Sequence, residues 1–132
     1  MRKMTHIIIS GKSYPIIIDL NVLEYIQNEY GSIHKFERDL IGVHYKKDMN
    51  GNQEYTEDGK PQMYITEPSI KAIKMVLPAM INEGLEIEAE EKDRNYEKVT
   101  EKQIFRNCNV DFNFLSDIIH SEYKRCFEIK KA

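Results

Sequence analysis

At 132 residues the chain has the size of one domain, and a globule of this length buries roughly two thirds of its unfolded surface, so it needs no disulfide or metal to hold a core. Its 41% apolar and 31% charged residues exclude disordered and fibrous classes. The formal charge of -3 divides into -1 over residues 1–84, -3 over 85–95 and +1 over 96–132, which leaves no basic footprint for nucleic acid. The longest apolar run, "AIKMVLPAMI", is broken by Lys74 and Pro78 and is shorter than the roughly 20 residues of a membrane crossing. The start carries no cleavable-signal pattern, so the expected location is the cytoplasm.

In chain order, "HIIISGKSYPIII" predicts a β-hairpin from two β-branched runs, Thr5–Ser10 and Tyr14–Asp19, joined by Gly11-Lys12-Ser13. The runs are continuous in Ile rather than alternating, which predicts that at least one strand is covered on both faces. Pro15 has no N–H to give and is expected at a sheet edge or strand start. Next, "NVLEYIQNEYG" reads as a helix capped by Asn21 with Glu24 closing a capping box, and ended by Gly31. Ser32 caps a second short helix with Ile33, Phe36 and Leu40 on one face, stopping at Gly42.

Residues 43–65 hold two turn signals, Asn50-Gly51 and Asp58-Gly59, and predict a mobile, polar β-excursion. Pro68 then opens the longest apolar helix, with Ile70, Ile73, Leu77, Met80 and Ile81 at helical spacing up to Gly84 and a kink expected at Pro78. The acidic stretch 85–98 reads as a solvated helix end and linker, its first half also compatible with a short edge strand. Thr100 and Gln103 form a capping box, with Val99 positioned to staple onto Ile104. Asp111 caps a last helix striped by Phe112, Leu115, Ile118, Ile119, Tyr123 and Cys126, whose end suits Lys124, Arg125, Lys130 and Lys131. The expected fold class is α+β in a single domain: an N-terminal hairpin packed against about five helices, mostly helical overall, with 43–65 as excursion, 85–98 as linker and 99–132 as a C-terminal helical pair.

Motifs that carry chemistry are incomplete. Asp48, Asn50, Asn52 and Glu54 alternate like the start of a calcium loop, but Gln53 stands where that loop needs Gly and Gly59 where it needs Glu. His6, His34, His44 and His120 form no HxH or HxxxH pair, and Cys108 and Cys126 have no metal or disulfide spacing, which predicts buried thiols. Gly11-Lys12 lacks the rest of a phosphate loop. No cofactor, metal site or catalytic residue is expected from spacing alone. A site assembled from distant residues such as His44, Tyr45, Glu54 and Tyr64, in a small enzyme or ligand-binding protein, stays open, as does an antitoxin-like regulator.

The segments "IISGKSYPIIIDLNVLEYIQNEYG", "LPAMINEGLEIEAEE" and "VTEKQIFRNCNVDFNFLSDIIHSEYKRCF" together resemble the tail assembly chaperones of tailed phages and prophages of Gram-positive bacteria; the polar insert around 47–62 departs from that pattern. The resemblance implies a non-enzymatic role in the host cytoplasm, holding tail-tube and tape-measure proteins soluble and bringing them together, with a homo-oligomer as an open alternative and neither nucleic acid nor membrane as partner. It also implies a longer product made by ribosomal slippage, for which Lys130-Lys131 would supply the slippery codons. For such a role the Ile-rich hairpin and the last helix offer Ile7, Ile9, Ile16, Ile18, Phe112, Leu115, Ile119 and Tyr123 as partner-binding candidates. Those side chains are equally suited to a core.

Overall fold

The computed structural model describes residues 3–128. Two strands, β1 (Thr5–Ile9) and β2 (Lys12–Ile16), make the expected antiparallel hairpin. Its turn is tighter than the sequence reading. Ser10 and Gly11, with φ of 50° and 81°, close it in two residues, both in the positive-φ geometry that matches the twist of the flanking strands. Lys12 and Ser13 therefore belong to β2, and the second strand ends at Ile16 rather than Asp19.

The double cover expected for the hairpin holds for β2 alone. In β1 the side chains alternate, with Ile7 and Ile9 buried and His6 and Ile8 exposed. In β2, Tyr14, Pro15 and Ile16 are all buried. Since Ile9 and Lys12 flank the turn as a hydrogen-bonded pair, the alternation of an antiparallel ladder makes His6 and Pro15 a non-hydrogen-bonded pair. Proline's missing N–H thus costs the ladder nothing.

Helix α1 (Leu20–Tyr30) starts earlier than predicted. Asp19, not Asn21, is the N-cap, its carboxylate accepting the Val22 N–H at 3.1 Å, and Asn21 lies within the first turn. Gly31 ends α1 in the left-handed region as expected. Helix α2 (Ile33–Ile41) has the predicted caps, Ser32 accepting from the Lys35 N–H and Gly42 closing the end. Strands β3 (Val43–Tyr45) and β4 (Met63–Ile65) follow, pairing antiparallel as a second two-stranded sheet.

Helix α3 (Ile70–Glu91), capped by Ser69, packs on β2 and on all the other helices. Its inward stripe of Ala72, Ile73, Val76, Leu77, Met80, Ile81 and Gly84 repeats at helical spacing, which is what makes it the centre of the core. Two expectations change here. Ile70 is exposed rather than part of the stripe, and the helix, with Pro78 inside it as expected, continues past Gly84 to Glu91. The first half of the 85–98 stretch, also compatible with an edge strand, is the helical end of α3, and only Lys92–Val99 remains as connection. Asn82 clips this connection to α3, its amide giving to the Val99 carbonyl at 3.0 Å and accepting the Val99 N–H at 2.8 Å.

Helix α4 (Glu101–Phe105) carries the predicted capping box of Thr100 and Gln103. Helix α5 (Phe112–Cys126) is capped by Asp111 and ties back to the rest through polar groups as well as its stripe. Ser116 donates to the Leu40 carbonyl at 2.7 Å, and the buried Glu122 accepts from the Thr5 hydroxyl at 3.0 Å. Cys108 and Cys126 are free and half-buried rather than fully buried. Lys130 and Lys131 lie outside the described residues. The architecture is α+β and mostly helical, a hairpin with five helices.

Gly84 is the closest joint in this fold. A Cβ there would stand 2.9 Å from the Pro15 carbonyl oxygen and 3.0 Å from its carbon. Replacing a glycine inside a helix by alanine ordinarily stabilises by up to about 1 kcal/mol. Gly84→Ala is expected to do the reverse, lowering stability by about 1–3 kcal/mol through forced separation of α3 and β2. Urea unfolding checks this, and a raised midpoint would contradict the joint.

Candidate partner-binding surface

The hairpin and last helix do not supply the surface that the sequence suggested. Ile7, Ile9, Ile16, Ile18, Leu115, Ile119 and Tyr123 are all at most 4% exposed, and Phe112 is partly buried against them. In this fold those side chains are the core. Their apolar character satisfied two readings at once, and it is the cover given by α3 that decides between them.

Half of the large apolar side chains exposed among the described residues lie on the excursion between Val43 and Ile65; the others, Ile8 of the hairpin and Phe114 of α5 among them, are spread over the rest of the fold. Tyr45, Tyr55, Met63, Tyr64 and Ile65 are exposed, Ile65 to 83%. Strand register sorts them: Val43 pairs Ile65 and Tyr45 pairs Met63 on one face, while His44 pairs Tyr64 on the other. Arg38 of α2 lies 5.2 Å over the Tyr45 ring, and His44 and Tyr64 rings stand 5.2 Å apart. Of the residues weighed as a dispersed site, His44 and Tyr64 are therefore adjacent, Tyr45 points to the opposite face, and Glu54 sits deeper, near Lys46 at 3.6 Å.

Past the β3–β4 stem the chain makes two loops of the same design. In the first, the Asp48 N–H reaches the Asn52 carbonyl at 2.8 Å and the Gly51 N–H the Asp48 carbonyl at 3.0 Å; in the second, Thr56 N–H reaches Lys60 and Gly59 N–H reaches Thr56 at the same two distances. Gly51 and Gly59 both take φ of 82°, a backbone setting that favours glycine. Asp48 and Thr56 act as equivalent anchors. The Asp48 carboxylate accepts the N–H groups of Asn50 and Asn52, and the Thr56 hydroxyl accepts that of Lys60. Within the calcium-like stretch the Asp48 carboxylate thus serves a turn and that of Glu54 lies near Lys46, and among the described residues no group of three or more His, Cys, Asp or Glu is placed to hold a metal ion.

Stem and loops meet at a closed ring of backbone bonds. Lys46 N–H gives to Gln62 at 2.8 Å, Gln62 N–H to Glu54 at 2.8 Å, and Glu54 N–H back to Lys46 at 2.9 Å. At the centre the Gln53 side-chain amide nitrogen lies 3.0, 2.8 and 3.2 Å from the carbonyls of Lys46, Glu54 and Gln62, its two N–H groups shared among the three. Each of these carbonyls has two lone pairs and uses both. The excursion carries little apolar cover of its own, so it is these bonds, rather than packing, that join its stem to its loops.

Its root is fixed by Asp39. This carboxylate accepts from the Tyr30 hydroxyl and, at 2.9 Å, from Lys35, while His44 Nδ1 approaches to 3.6 Å. The Asp39 carbonyl accepts the Ser69 N–H, and the Thr66 N–H closes onto Gly42 at 2.7 Å. Burial works to raise the Asp39 pKa, but the bonds from Tyr30 and Lys35 and the nearby charges outweigh it and hold the carboxyl below its ordinary value. Burial and the bond to Asp39 push Tyr30 up to about 12. His44 Nε2 lies 2.9 Å from the Thr66 hydroxyl, giving a hydroxyl–imidazole–carboxylate order. The 3.6 Å step to Asp39 exceeds hydrogen-bond length, and the Thr66 hydroxyl donates to the Glu67 carbonyl at 3.1 Å. The row braces the two strands where they leave the core.

A second carboxyl centre sits at the start of α1. Glu83 is raised to about 7 by hydrogen bonding with Asp19, then by burial and the charges of Asp19 and Glu86, against an opposing bond from Asn21. This pair was not legible in residue spacing, because it depends on segments that only the fold brings together; the two turns were signalled by Asn50-Gly51 and Asp58-Gly59, but not the bonds that join them to the stem. Comparison with protein-family models, with curated proteins and with solved structures finds no match to this chain.

Two outcomes follow from this geometry. Gln53→Ala leaves three carbonyls short of a donor, and an exposed network of this kind is expected to lose about 1–2 kcal/mol; the Lys46, Glu54 and Gln62 amides should exchange with solvent much faster, as read by NMR, and unchanged exchange would contradict the junction. For Glu83, a folded pKa above the unfolded one means stabilisation that is complete below about pH 4.5 and lost as pH rises through about 7. Glu83→Gln should therefore raise the melting temperature at pH 8 and flatten its fall between pH 5 and 7, by less than about 1 kcal/mol since much of the group is solvated. An equal slope in the variant would contradict the pairing.

Proposed function

We propose that this protein works by binding other proteins rather than by covalent chemistry, and that, as its sequence resemblance implies, it is an assembly chaperone of a phage or prophage tail acting in the host cytoplasm. Its partners in this reading are a tail-tube protein and a tape-measure protein, held soluble until they join the growing tail.

The observation that carries the reading is the exposed face of Tyr45, Met63 and Ile65, at 42%, 46% and 83% exposure, held on a braced stem. Apolar and aromatic side chains in contiguous exposure on a soluble domain mark contact surfaces, and tyrosine and methionine adapt to varied partners. The stem is two strands with open edges, which also offers backbone pairing to an extended client segment. The surface differs from the one expected in the hairpin, but it performs the same task of engaging strands or apolar faces of clients. No helix among the described residues is long and apolar enough to cross a membrane.

Co-purification tests this reading. The protein should co-elute with the tail-tube or tape-measure protein encoded beside it at low and moderate salt. The double change Tyr45→Glu with Ile65→Glu should weaken that association by about tenfold or more, the loss of one or two apolar anchors, while the melting temperature moves little because both side chains are exposed. Failure to bind either partner, or binding indifferent to the double change, would overturn it.

A further inference from the structure

We propose a second docking site, in the groove between α1, α3 and α4, that takes an acidic amphipathic helix of a partner protein. It uses none of the excursion's residues and does not depend on the chaperone reading. The groove encloses about 660 Å³ over a floor of Tyr25, Ile70, Met75 and Pro78. Past the Lys74–Glu101 pair, 3.1 Å apart, it continues into a hollow of about 210 Å³ against Phe105. Tyr25 and Ile70 are 38% and 56% exposed, so the described chain leaves this apolar floor open.

The rim decides the occupant. Lys71, Lys102 and Arg106 line the two hollows beside the paired Lys74 and Glu101, with Glu29 the further carboxylate acting on Tyr25, in a chain whose formal charge is -3. A concentration of cations around an apolar floor is complementary to a helix with carboxylates flanking an apolar stripe. From Ile70 to Pro78, α3 advances about 12 Å at the rise of an α-helix, enough for two turns of a docked helix and its anchors at i, i+3 or i+4, and i+7. A nucleic-acid strand is a poorer complement. Most of the floor, Ile70, Met75 and Pro78, is non-aromatic, which leaves only Tyr25 and Phe105 among the lining residues as faces on which a base could stack.

The probe is a short fluorescein-labelled peptide of Leu and Glu in helical register, titrated with the full chain by fluorescence anisotropy. Controls are the same peptide with Lys for Glu and a scramble of the Leu/Glu order. The expected result is saturable binding of the Glu peptide alone, weakened by salt, and reduced about tenfold both by Lys71→Glu with Lys102→Glu and by Ile70→Ser. All three positions are exposed, so the variants should keep the parent melting curve. Absence of saturable binding, equal binding of either control, or indifference to the variants overturns the site. So does self-association abolished by the same charge reversal, which assigns the groove to a second copy, or oligothymidine binding abolished by it, which assigns the groove to nucleic acid.

Discussion

At Gly84 the backbone of α3 lies against the backbone of β2 with no side chain between them, and much of the fold depends on that approach. It covers the second face of β2, which a two-stranded hairpin cannot do for itself. It also lets His6 on the neighbouring strand reach Glu88 at 3.0 Å, one turn further along α3. With one face of the hairpin on α3, the other turns Ile7, Ile9, Tyr14 and Ile16 into the same core as Ile26, Phe36, Leu40 and Ile119. Most of the N-terminal hairpin's isoleucines are thereby consumed in packing, and the exposed apolar surface of Tyr45, Met63 and Ile65 lies elsewhere.

That surface is on an appendage with a different kind of stability. The body is held by buried apolar side chains around α3. The excursion is held by polar closure: the ring of Lys46, Glu54 and Gln62, the Gln53 amide inside it, and the Asp39 hub at its root. Hydrogen-bonded structure of that sort is modest in net energy but specific in shape. It can hold Tyr45, Met63 and Ile65 outward without drawing them into the core, and shape without burial is what a contact surface requires.

The parts legible in the sequence are those whose physics is local. Ser32, Gly31, Gly42 and the Thr100–Gln103 box cap helices through bonds within a few residues, and each stands where its residue type predicts. Asn21 misled because Asp19 two residues earlier is an equally good cap, and nothing local ranks them. Gly84 has the residue type of a helix stop because glycine's permissiveness usually serves a turn; here its missing Cβ serves a contact with a strand far away in sequence. Asn50-Gly51 and Asp58-Gly59 announced two turns, but the shared design of the loops and the central place of Gln53 rest on backbone bonds across the excursion. Nor could composition separate Ile7, which is buried, from Ile65, which is not. That distinction belongs to the placement of α3.

The division between an apolar body and a polar-closed appendage is tested most directly by thermal unfolding of a chain in which residues 47–61 are replaced by a two-residue Asn-Gly turn joining Lys46 to Gln62. If the core is organised by α3 and the hairpin alone, this chain should unfold in one cooperative transition within about 5 °C of the parent, the shift expected for roughly 1 kcal/mol in a domain of this size. Loss of the cooperative transition would show that the excursion is part of the core's support, and would contradict the account.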